Sequence, residues 1–484
     1  QAFVLSWQLA RPNLTPALVA ADRMQSLDVE DPASAPGAGG SHGQVSLSFN
    51  GDSGATARGA TAPEAIRNVV TALVGAGILA LPNKVGSAGY LTGSGLLLLS
   101  EYVSYYTGHL VHLAAEVGEQ RSGKALRTYD EVVMVICGPF AAKVAMMLSI
   151  LLTFGICVCY LILLGQNAKF KDIMGFETSD ASNIVFFALL EVPMACVRDV
   201  STIAKAGKVG IISRCVLTVV IASAAVLDTS RDSVAALQSS QAAFGQMRNY
   251  PSAFNIFLLS NSCAFFVPNV RSTLQRPAQM PFVISMALQI CQVIYGMICI
   301  PSILAYTVVF NDPEKEGVDQ VLKAMTGPLT SNLRYIGQFT VLVSLLVSYP
   351  ILLNCLITML SPAFPLMDRP GLSGNVARSS VVAAAAIVAV SVPNFGVMLD
   401  FLAALSFPAL TVFFPVLLHW ATQRAHFGSS RDVLHAIGLL RCTWHVVLML
   451  IGFVCLVVGT AESLPDLLEM LTGGSAAPPV VVTE

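Results

Sequence analysis

Long apolar runs alternate with short polar loops along most of the chain, from Ala65 onward. A transmembrane helix needs about 20 consecutive apolar residues. Eleven runs approach that length, near 65–86, 91–114, 139–165, 182–197, 207–227, 251–270, 281–308, 334–360, 379–393, 398–420 and 441–462. Because hydrocarbon offers the backbone no water to bond to, such segments form helices. The pattern predicts an all-α integral membrane protein with about eleven transmembrane helices.

The two ends of the chain differ from this pattern. Residues 1–62 are rich in Ala, Gly, Ser and Pro and contain no long apolar run, and Met24 is a candidate initiator. Such a segment buries too little surface to offset the entropy lost on ordering. We expect a disordered cytoplasmic N-terminal tail over 1–62, a transmembrane domain over 63–465 and a short flexible C-terminal tail over 466–484.

The basic residues of the predicted loops indicate the orientation. Loops on the same side as the N-terminal tail carry more Lys and Arg than the loops on the opposite side. Cytoplasmic loops are enriched in these residues, so the N-terminus is expected in the cytoplasm. An odd number of spans then places the C-terminus on the other side.

Composition agrees with a membrane protein and excludes other classes. Only 12% of the 484 residues are charged and 55% are hydrophobic, whereas soluble domains carry about 25% charged residues. The net charge of −2 argues against a nucleic-acid partner. The eleven cysteines lie almost entirely in apolar runs without metal-ligand spacing, so we expect small buried side chains.

Two predicted spans are interrupted near their middles. The first contains Gly75, Ala76 and Gly77 and then Pro82, all poor at propagating a helix. The sixth contains a run of three polar residues followed by a proline, namely Ser260, Asn261, Ser262 and Pro268. A triplet of small residues is also typical of close helix–helix contacts, which is the alternative interpretation of the first break.

The breaks lie five spans apart, which favours an inverted repeat of five plus five helices with one extra helix. In such transporters, broken helices 1 and 6 direct helix dipoles and unpaired backbone groups at a substrate near the middle of the membrane. Helix N-termini suit a carboxylate and free carbonyls suit an ammonium group or a cation. An α-amino acid carries both groups.

Several segments, in order along the chain, resemble the amino acid/auxin permease family of the amino acid–polyamine–organocation superfamily. They are VTALVGAGILALPNKVGSAGY in the first span, GPFAAKVAMMLSILLTFGICVCYLILLGQN in the third, VPNVRSTLQRP after the sixth, VPNFGVMLDFLAALSFPALTVFFPVLLHW across the ninth and tenth, and GTAESL in the eleventh. The resemblance implies an eleven-helix fold of the leucine-transporter type and secondary active transport of amino acids.

The resemblance also implies site residues. The residues of the first break that would contact the substrate or ion are Thr71, Gly75, Ala76, Gly77 and Ile78. In the sixth span, the residues that would contact the substrate are Ser260, Asn261 and Ser262. In the eighth span, the residues that would contact a coupling ion are Ser344 and Ser348. No cofactor is expected beyond H+ or Na+ as the coupling ion, and no metal site beyond a possible one for Na+.

Two departures from the family pattern bear on coupling. Sodium-coupled relatives have Asn where this chain has Thr71, and plant proton-coupled relatives commonly have Thr, which favours H+. A threonine hydroxyl is nevertheless also a competent sodium ligand. Many relatives have His where this chain has Cys263, so a role for that imidazole is not expected here.

Ionisable residues inside spans are further candidates, because a charge near the bilayer centre costs about 2.5–3.5 kcal/mol on insertion scales. Glu101 in the second span is a candidate proton site, and Glu191 in the fourth is a weaker one. Each carboxyl has the alternative of remaining neutral beside hydroxyl groups. We expect Arg214 to extend to the membrane interface and Asp400 to cap the tenth helix.

The leading hypothesis is a transporter of small or neutral amino acids that works by alternating access. The alternatives are a transporter of another small zwitterion or weak acid, such as an amine, a GABA-like or an auxin-like compound, and an amino-acid sensor that does not transport. An enzyme fits poorly because no metal, nucleophile or phosphate motif is found. The expected partners are an amino acid and the lipid bilayer of the plasma membrane or of a vacuole or lysosome, and the oligomeric state stays open.

Overall fold

The computed structural model describes residues 59–168, 178–197, 200–310, 320–325, 327, 330–427 and 437–472. Within these ranges the chain is almost entirely helical, and its one extended pairing is a parallel bridge between Ala60 and Leu274. The tail residues 1–58 and 473–484 lie outside the described residues.

We number the main helices α1–α11 in chain order, and α1, α6 and α10 are interrupted. Their bounds are Ala62–Leu73 and Leu81–Ser87 for α1, Tyr90–Ser122 for α2, Pro139–Asn167 for α3, Asp180–Cys196 for α4, Val200–Asp228 for α5, Asn249–Asn261 and Val267–Thr273 for α6, Met280–Phe310 for α7, Ser331–Leu360 for α8, Leu372–Ser391 for α9, Phe395–Phe407 and Phe414–Phe427 for α10, and Leu439–Leu471 for α11. Shorter helices connect them at Tyr129–Cys137, Arg231–Ala236, Ser240–Phe244 and Val321–Ala324.

Each of the eleven predicted spans coincides with one of these helices, so the all-α prediction is confirmed. Eight helices, α3 and α5–α11, are long and apolar enough to cross a membrane by length and composition. The other three fall short for different reasons: α1 is broken, α4 has 17 residues and α2 contains polar side chains such as Glu101.

Both predicted breaks are present, and both follow from the local sequence. Helix α1 stops at Leu73, passes through the extended residue Gly75 and resumes as a 3-10 turn over Ala76–Leu79. Helix α6 stops at Asn261 and resumes through a 3-10 turn over Ala264–Phe266. Prolines near the start of each second half, Pro82 and Pro268, suit the beginning of a helix because proline lacks an amide hydrogen.

The interrupted helices pack against long continuous ones that hold them in place. Helix α8 packs along α5 and α3, and α7 packs against both halves of α1. Helix α6 lies against α2 and α10, and α11 covers α10. The first broken helix therefore lies against α7, and the second lies against α2 and α10.

The first and last helices extend beyond the predicted spans. Helix α1 begins at Ala62 rather than at 65, because Thr61 and Glu64 form a capping box there. Helix α11 continues to Leu471, so residues 466–471, which we placed in the flexible tail, are helical. The helix continues because Leu464, Leu467, Leu468 and Leu471 recur at helical spacing.

Candidate functional site

The two breaks lie against each other. A methyl group on Gly77 would lie 3.1 Å from the hydroxyl oxygen of Ser260. Glycine thus lets the 3-10 turn of α1 approach α6 closely. The first break and Ser260 of the second, predicted separately from sequence, are therefore neighbours at Gly77.

Tyr295 of α7 joins the two broken helices. Its hydroxyl, on a fully buried side chain, lies 2.7 Å from the carbonyl oxygen of Ser260 and 3.3 Å from that of Leu73. Both carbonyls belong to the ends of the first helix halves, where intrahelical partners are missing. The Ser260 carbonyl therefore takes its donor from this hydroxyl, and the Leu73 carbonyl accepts from the Gly75 amide at 2.8 Å as well as from the hydroxyl.

A small cavity adjoins the first break. Its volume is about 20 Å³, enough for one water molecule. Its walls come from α1, α3, α5 and α8: Gly75, Ile78, Leu79, Tyr160, Arg214, Leu217, Val341, Ser344 and Leu345. The hydroxyl of Tyr160 would lie 3.5 Å from a methyl group on Gly75, so it faces the unwound backbone directly.

Arg214 of α5 connects the first break to α8. Its guanidinium donates to the carbonyl oxygen of Thr71 at 2.6 Å, to the Ser348 hydroxyl at 2.8 Å and, through Nε, to the Ser344 hydroxyl at 3.3 Å. The expectation that Arg214 extends to the membrane interface is wrong, because these three oxygens hold it inside the bundle. Three of the four predicted ion-coupling residues, Thr71, Ser344 and Ser348, are therefore brought together around the Arg214 side chain, and Glu101 is not among them.

This cluster gives a positively charged wall to the cavity. No carboxylate bonds to Arg214 among the residues that the structure describes. The Thr71 hydroxyl takes no part, because it donates to the carbonyl oxygen of Arg67 at 2.7 Å. In the described ranges no group of three or more His, Cys, Asp or Glu side chains is arranged to hold a metal ion.

The other predicted residues of the sixth span face neighbouring helices. Asn261 donates to the Ser100 hydroxyl of α2 at 2.8 Å and accepts from the Gln292 amide of α7 at 3.2 Å. Ser262 bonds to the Thr411 hydroxyl at 2.6 Å, in the π-helical turn Pro408–Phe413 of α10. Ala76 contributes its backbone to the turn of α1. Asn261 and Ser262 thus tie the second break to α2, α7 and α10.

The two intramembrane carboxyl groups lie in different surroundings. Glu101 is buried on α2, next to the Ser100–Asn261 contact, and no contact with the Arg214 cluster is found for it in the described part of the chain. Glu191 of α4 is 1% exposed, and neither carboxyl oxygen has a hydrogen-bond partner. The sequence ranked Glu101 first, whereas Glu191 is the more isolated from polar groups.

A charged contact joins the second half of α1 to α10. Lys84 lies 2.6 Å from the carboxylate of Asp400 and 3.0 Å from the Ser252 hydroxyl of α6. The expectation that Asp400 caps its helix is wrong: Asn394 is the N-cap, and its side chain accepts from the Val397 amide. The helix begins earlier than predicted because Phe395–Leu399 continue its apolar face inward.

Sequence reasoning missed three residues of the site. Arg214 carried a usable signal, since an arginine inside an apolar run needs partners for its charge. Tyr160 and Tyr295 carried none, because a tyrosine among apolar residues is equally typical of a core or of an aromatic belt.

Comparisons with known proteins all indicate amino acid transporters. Residues 58–463 match the family described as "Transmembrane amino acid transporter protein". The chain is 22% identical to the vesicular inhibitory amino acid transporter of Rattus norvegicus, over 84% of this chain and 76% of that protein. It is 34% identical to Amino acid permease 4 of Arabidopsis thaliana over 111 residues, which are 23% of this chain and 24% of that protein.

A solved structure confirms the fold. The structure of MhsT in complex with L-phenylalanine matches with a TM-score of 0.53 and 13% identity, over 84% of this chain and 100% of MhsT. This likeness shows the leucine-transporter fold that the family resemblance implied.

Proposed function

The chain belongs to the transmembrane amino acid transporter family, and from that premise we propose that it is a secondary active transporter that moves an α-amino acid by alternating access. The observation that carries the proposal is the meeting of the two breaks, where Gly77 faces Ser260 and Tyr295 bonds to both helices. Broken helices at such a point leave backbone groups free for a small zwitterion.

The polar groups near the first break suit the two charges of an amino acid. Amides at the start of the Ala76–Leu79 turn lack intrahelical partners and favour a carboxylate. Arg214, on the cavity wall, adds positive charge on the same side. Apolar walls from Ile78, Leu217 and Val341 favour a small uncharged side chain. The relatives' names, which mention inhibitory amino acids and amino acid permease, support the same class.

The coupling ion in this proposal is H+. The oxygens of Thr71, Ser344 and Ser348, which the family resemblance would give to Na+, are bonded to the guanidinium of Arg214. A sodium ion about 4 Å from that charge would be repelled by about 4 kcal/mol at an effective dielectric constant of about 20. Such a penalty lowers affinity roughly a thousandfold. Arg214 therefore serves as a permanent cation in place of a transported one.

The protein is a multi-pass membrane protein, and we place its N-terminus in the cytoplasm because basic residues predominate in the loops on that side. The name of the vesicular relative supports the membrane of an intracellular compartment. Protease protection of a tag at the N-terminus in sealed vesicles tests the orientation, and a tag digested from the lumenal side would contradict it.

Uptake into proteoliposomes tests the proposed function. The purified full chain is supplied with a panel of labelled amino acids, while the pH and sodium gradients are varied independently. We expect accumulation of small neutral amino acids that follows the pH gradient and is unchanged when choline replaces Na+. Accumulation that requires Na+ would contradict proton coupling, and binding without accumulation would indicate a sensor.

Arg214 variants sharpen this test. Arg214→Gln removes the cation and weakens up to three charge-assisted hydrogen bonds, each worth about 1.5–3 kcal/mol, so uptake should fall at least tenfold. Arg214→Lys keeps the charge and should retain part of the activity. Equal activity in Arg214→Gln and the parent chain would refute a role for the guanidinium.

A further inference from the structure

Glu191 is a buried carboxyl group that the proposed substrate site does not use. It lies in α4, five residues before the end of the helix at Cys196, and is 1% exposed. Neither of its oxygens has a hydrogen-bond partner. An ionised carboxylate buried without a partner costs several kcal/mol. In this conformation the group is therefore a neutral carboxylic acid that holds a proton.

Three helices pack against α4, and few ionisable groups on them face Glu191. Cys157 of α3 and Tyr349 of α8 are close enough to interact with it electrostatically. On α9 the charged group is Arg378, whose guanidinium donates to the carbonyl oxygens of Met367 at 3.0 Å and Ala195 at 3.5 Å. No ion pair holds Glu191 among the described residues. The carboxyl group is thus free to change its protonation when its surroundings change.

Tyr349 is the partner that the carboxyl lacks in this conformation. Its side chain is fully buried, and its hydroxyl also has no hydrogen-bond partner. A buried hydroxyl and a buried carboxyl without hydrogen-bond partners both lose the free energy that a bond would supply, and the helices that carry them pack together. A small shift between α4 and α8 that brings the two groups into hydrogen-bond distance would stabilise an ionised Glu191, because the tyrosine hydroxyl is a donor.

The same stretch of α8 reaches the substrate site. Ser348, next to Tyr349, accepts from Arg214, and Arg214 donates to the carbonyl oxygen of Thr71 at the end of the first half of α1. Both helices contain a proline close to these residues, Pro193 in α4 and Pro350 in α8. A proline removes one helical hydrogen bond and allows a bend. Movement at Glu191 can therefore reach the first break through two adjacent residues of α8.

We propose that Glu191 is the residue that carries the coupled proton, with Tyr349 as the group that stabilises its ionised form. The inference rests on the proposed function, that of a proton-coupled transporter. In one conformation the carboxylate takes up one proton and becomes the acid seen here. In the other it releases that proton to the opposite side and accepts a hydrogen bond from Tyr349. One proton crosses in each cycle, and no other bond is made or broken.

The experiment compares two kinds of transport in proteoliposomes. Glu191→Gln has nearly the same shape but neither binds nor releases a proton. It should lower accumulation driven by a pH gradient at least tenfold, while counterflow of labelled for unlabelled amino acid at equal pH stays within about twofold of the parent chain. Tyr349→Phe should lower proton-driven accumulation in the same direction. Glu116→Gln, on the partly exposed side of α2, is the matched control and should change neither rate.

Each other outcome is decisive. Full proton-driven accumulation by Glu191→Gln would overturn the assignment, as would uncoupling by Glu101→Gln instead. If Glu191→Gln fails to fold, Glu191→Asp decides: its displaced carboxyl should shift the pH of half-maximal uptake, and an unchanged pH profile would overturn the assignment. If accumulation by the parent chain does not respond to the pH gradient, the proposed proton coupling itself is wrong. This outcome is seen before any variant is compared.

Discussion

Gly77 is the residue on which the contact between the two breaks depends. A single added methyl group would already lie 3.1 Å from the Ser260 hydroxyl, so the longer side chain of leucine would displace Ser260 or the turn that carries position 77. We expect Gly77→Leu to lower uptake at least a hundredfold while the amount of protein in the membrane stays within about twofold. Surface abundance and uptake measured on the same cells check this.

Gly95→Leu is the control for Gly77→Leu. This glycine lies on the exposed face of α2, where an added side chain would meet nothing within 4 Å. The same change in bulk should therefore leave uptake near that of the parent chain. If both variants, or neither, lose activity, the close approach at Gly77 is not what transport requires.

At this scale the sequence predicted residue types better than their partners. The break residues 75–78 and Ser260 were found because Gly-Ala-Gly and Ser-Asn-Ser are unusual inside apolar runs. Ser344 and Ser348 were predicted as site residues from the family resemblance. Their partner Arg214 was not, because the position of an arginine on a helix does not show which helix it faces. Side-chain hydrogen bonds between α5 and α8 depend on packing that no local pattern contains.

At the scale of the element, α7 controls how the broken helices fit together. The hydroxyl of Tyr295 bonds to carbonyl oxygens of both α1 and α6. In Tyr295→Phe, the carbonyl of Ser260 would lose this donor, at a cost of about 1–3 kcal/mol for an unsatisfied group, whereas the carbonyl of Leu73 would keep its bond from the Gly75 amide. We expect a lower melting temperature in detergent and at least tenfold slower uptake.

Tyr102→Phe removes a hydroxyl from a tyrosine that is 43% exposed on α2. Its melting temperature and uptake should match those of the parent chain. Equal melting temperatures for Tyr295→Phe and Tyr102→Phe would show that the shared hydrogen bond contributes nothing to holding the breaks together.

The helices themselves were largely predictable because the bilayer restricts the possible structures. Apolar runs of span length must be helical. Two interruptions five spans apart favoured an inverted repeat, and the family resemblance implied the leucine-transporter fold that the likeness to MhsT confirms. Helix ends were less predictable. The capping box at Thr61, the Asn394 cap and the extension to Leu471 each depend on a few polar or apolar positions outside the long runs.

At the scale of the whole molecule, the cavity beside the first break is small in this conformation. A cavity of about 20 Å³ has no room for an amino acid, so the helices around the breaks must separate before substrate binds. Lys84 and Asp400 oppose that separation, because they join the second half of α1 to α10. Both side chains are partly exposed, at 19% and 24%, and such pairs are worth up to about 1 kcal/mol.

Asp400→Asn should therefore favour the open conformation. A loss of about 1 kcal/mol changes a conformational ratio about fivefold, and apparent affinity rises with the population of the state that binds. We expect Asp400→Asn to bind a labelled amino acid up to about fivefold more tightly in detergent, while accumulation falls because closure is less complete. The double variant Lys84→Asp with Asp400→Lys, which reverses the pair, should bind more like the parent chain. Unchanged affinity in Asp400→Asn would mean that this contact does not keep the site closed, and that the separation of α1 from α10 is opposed by the buried hydrogen bonds at Tyr295 and Arg214 instead.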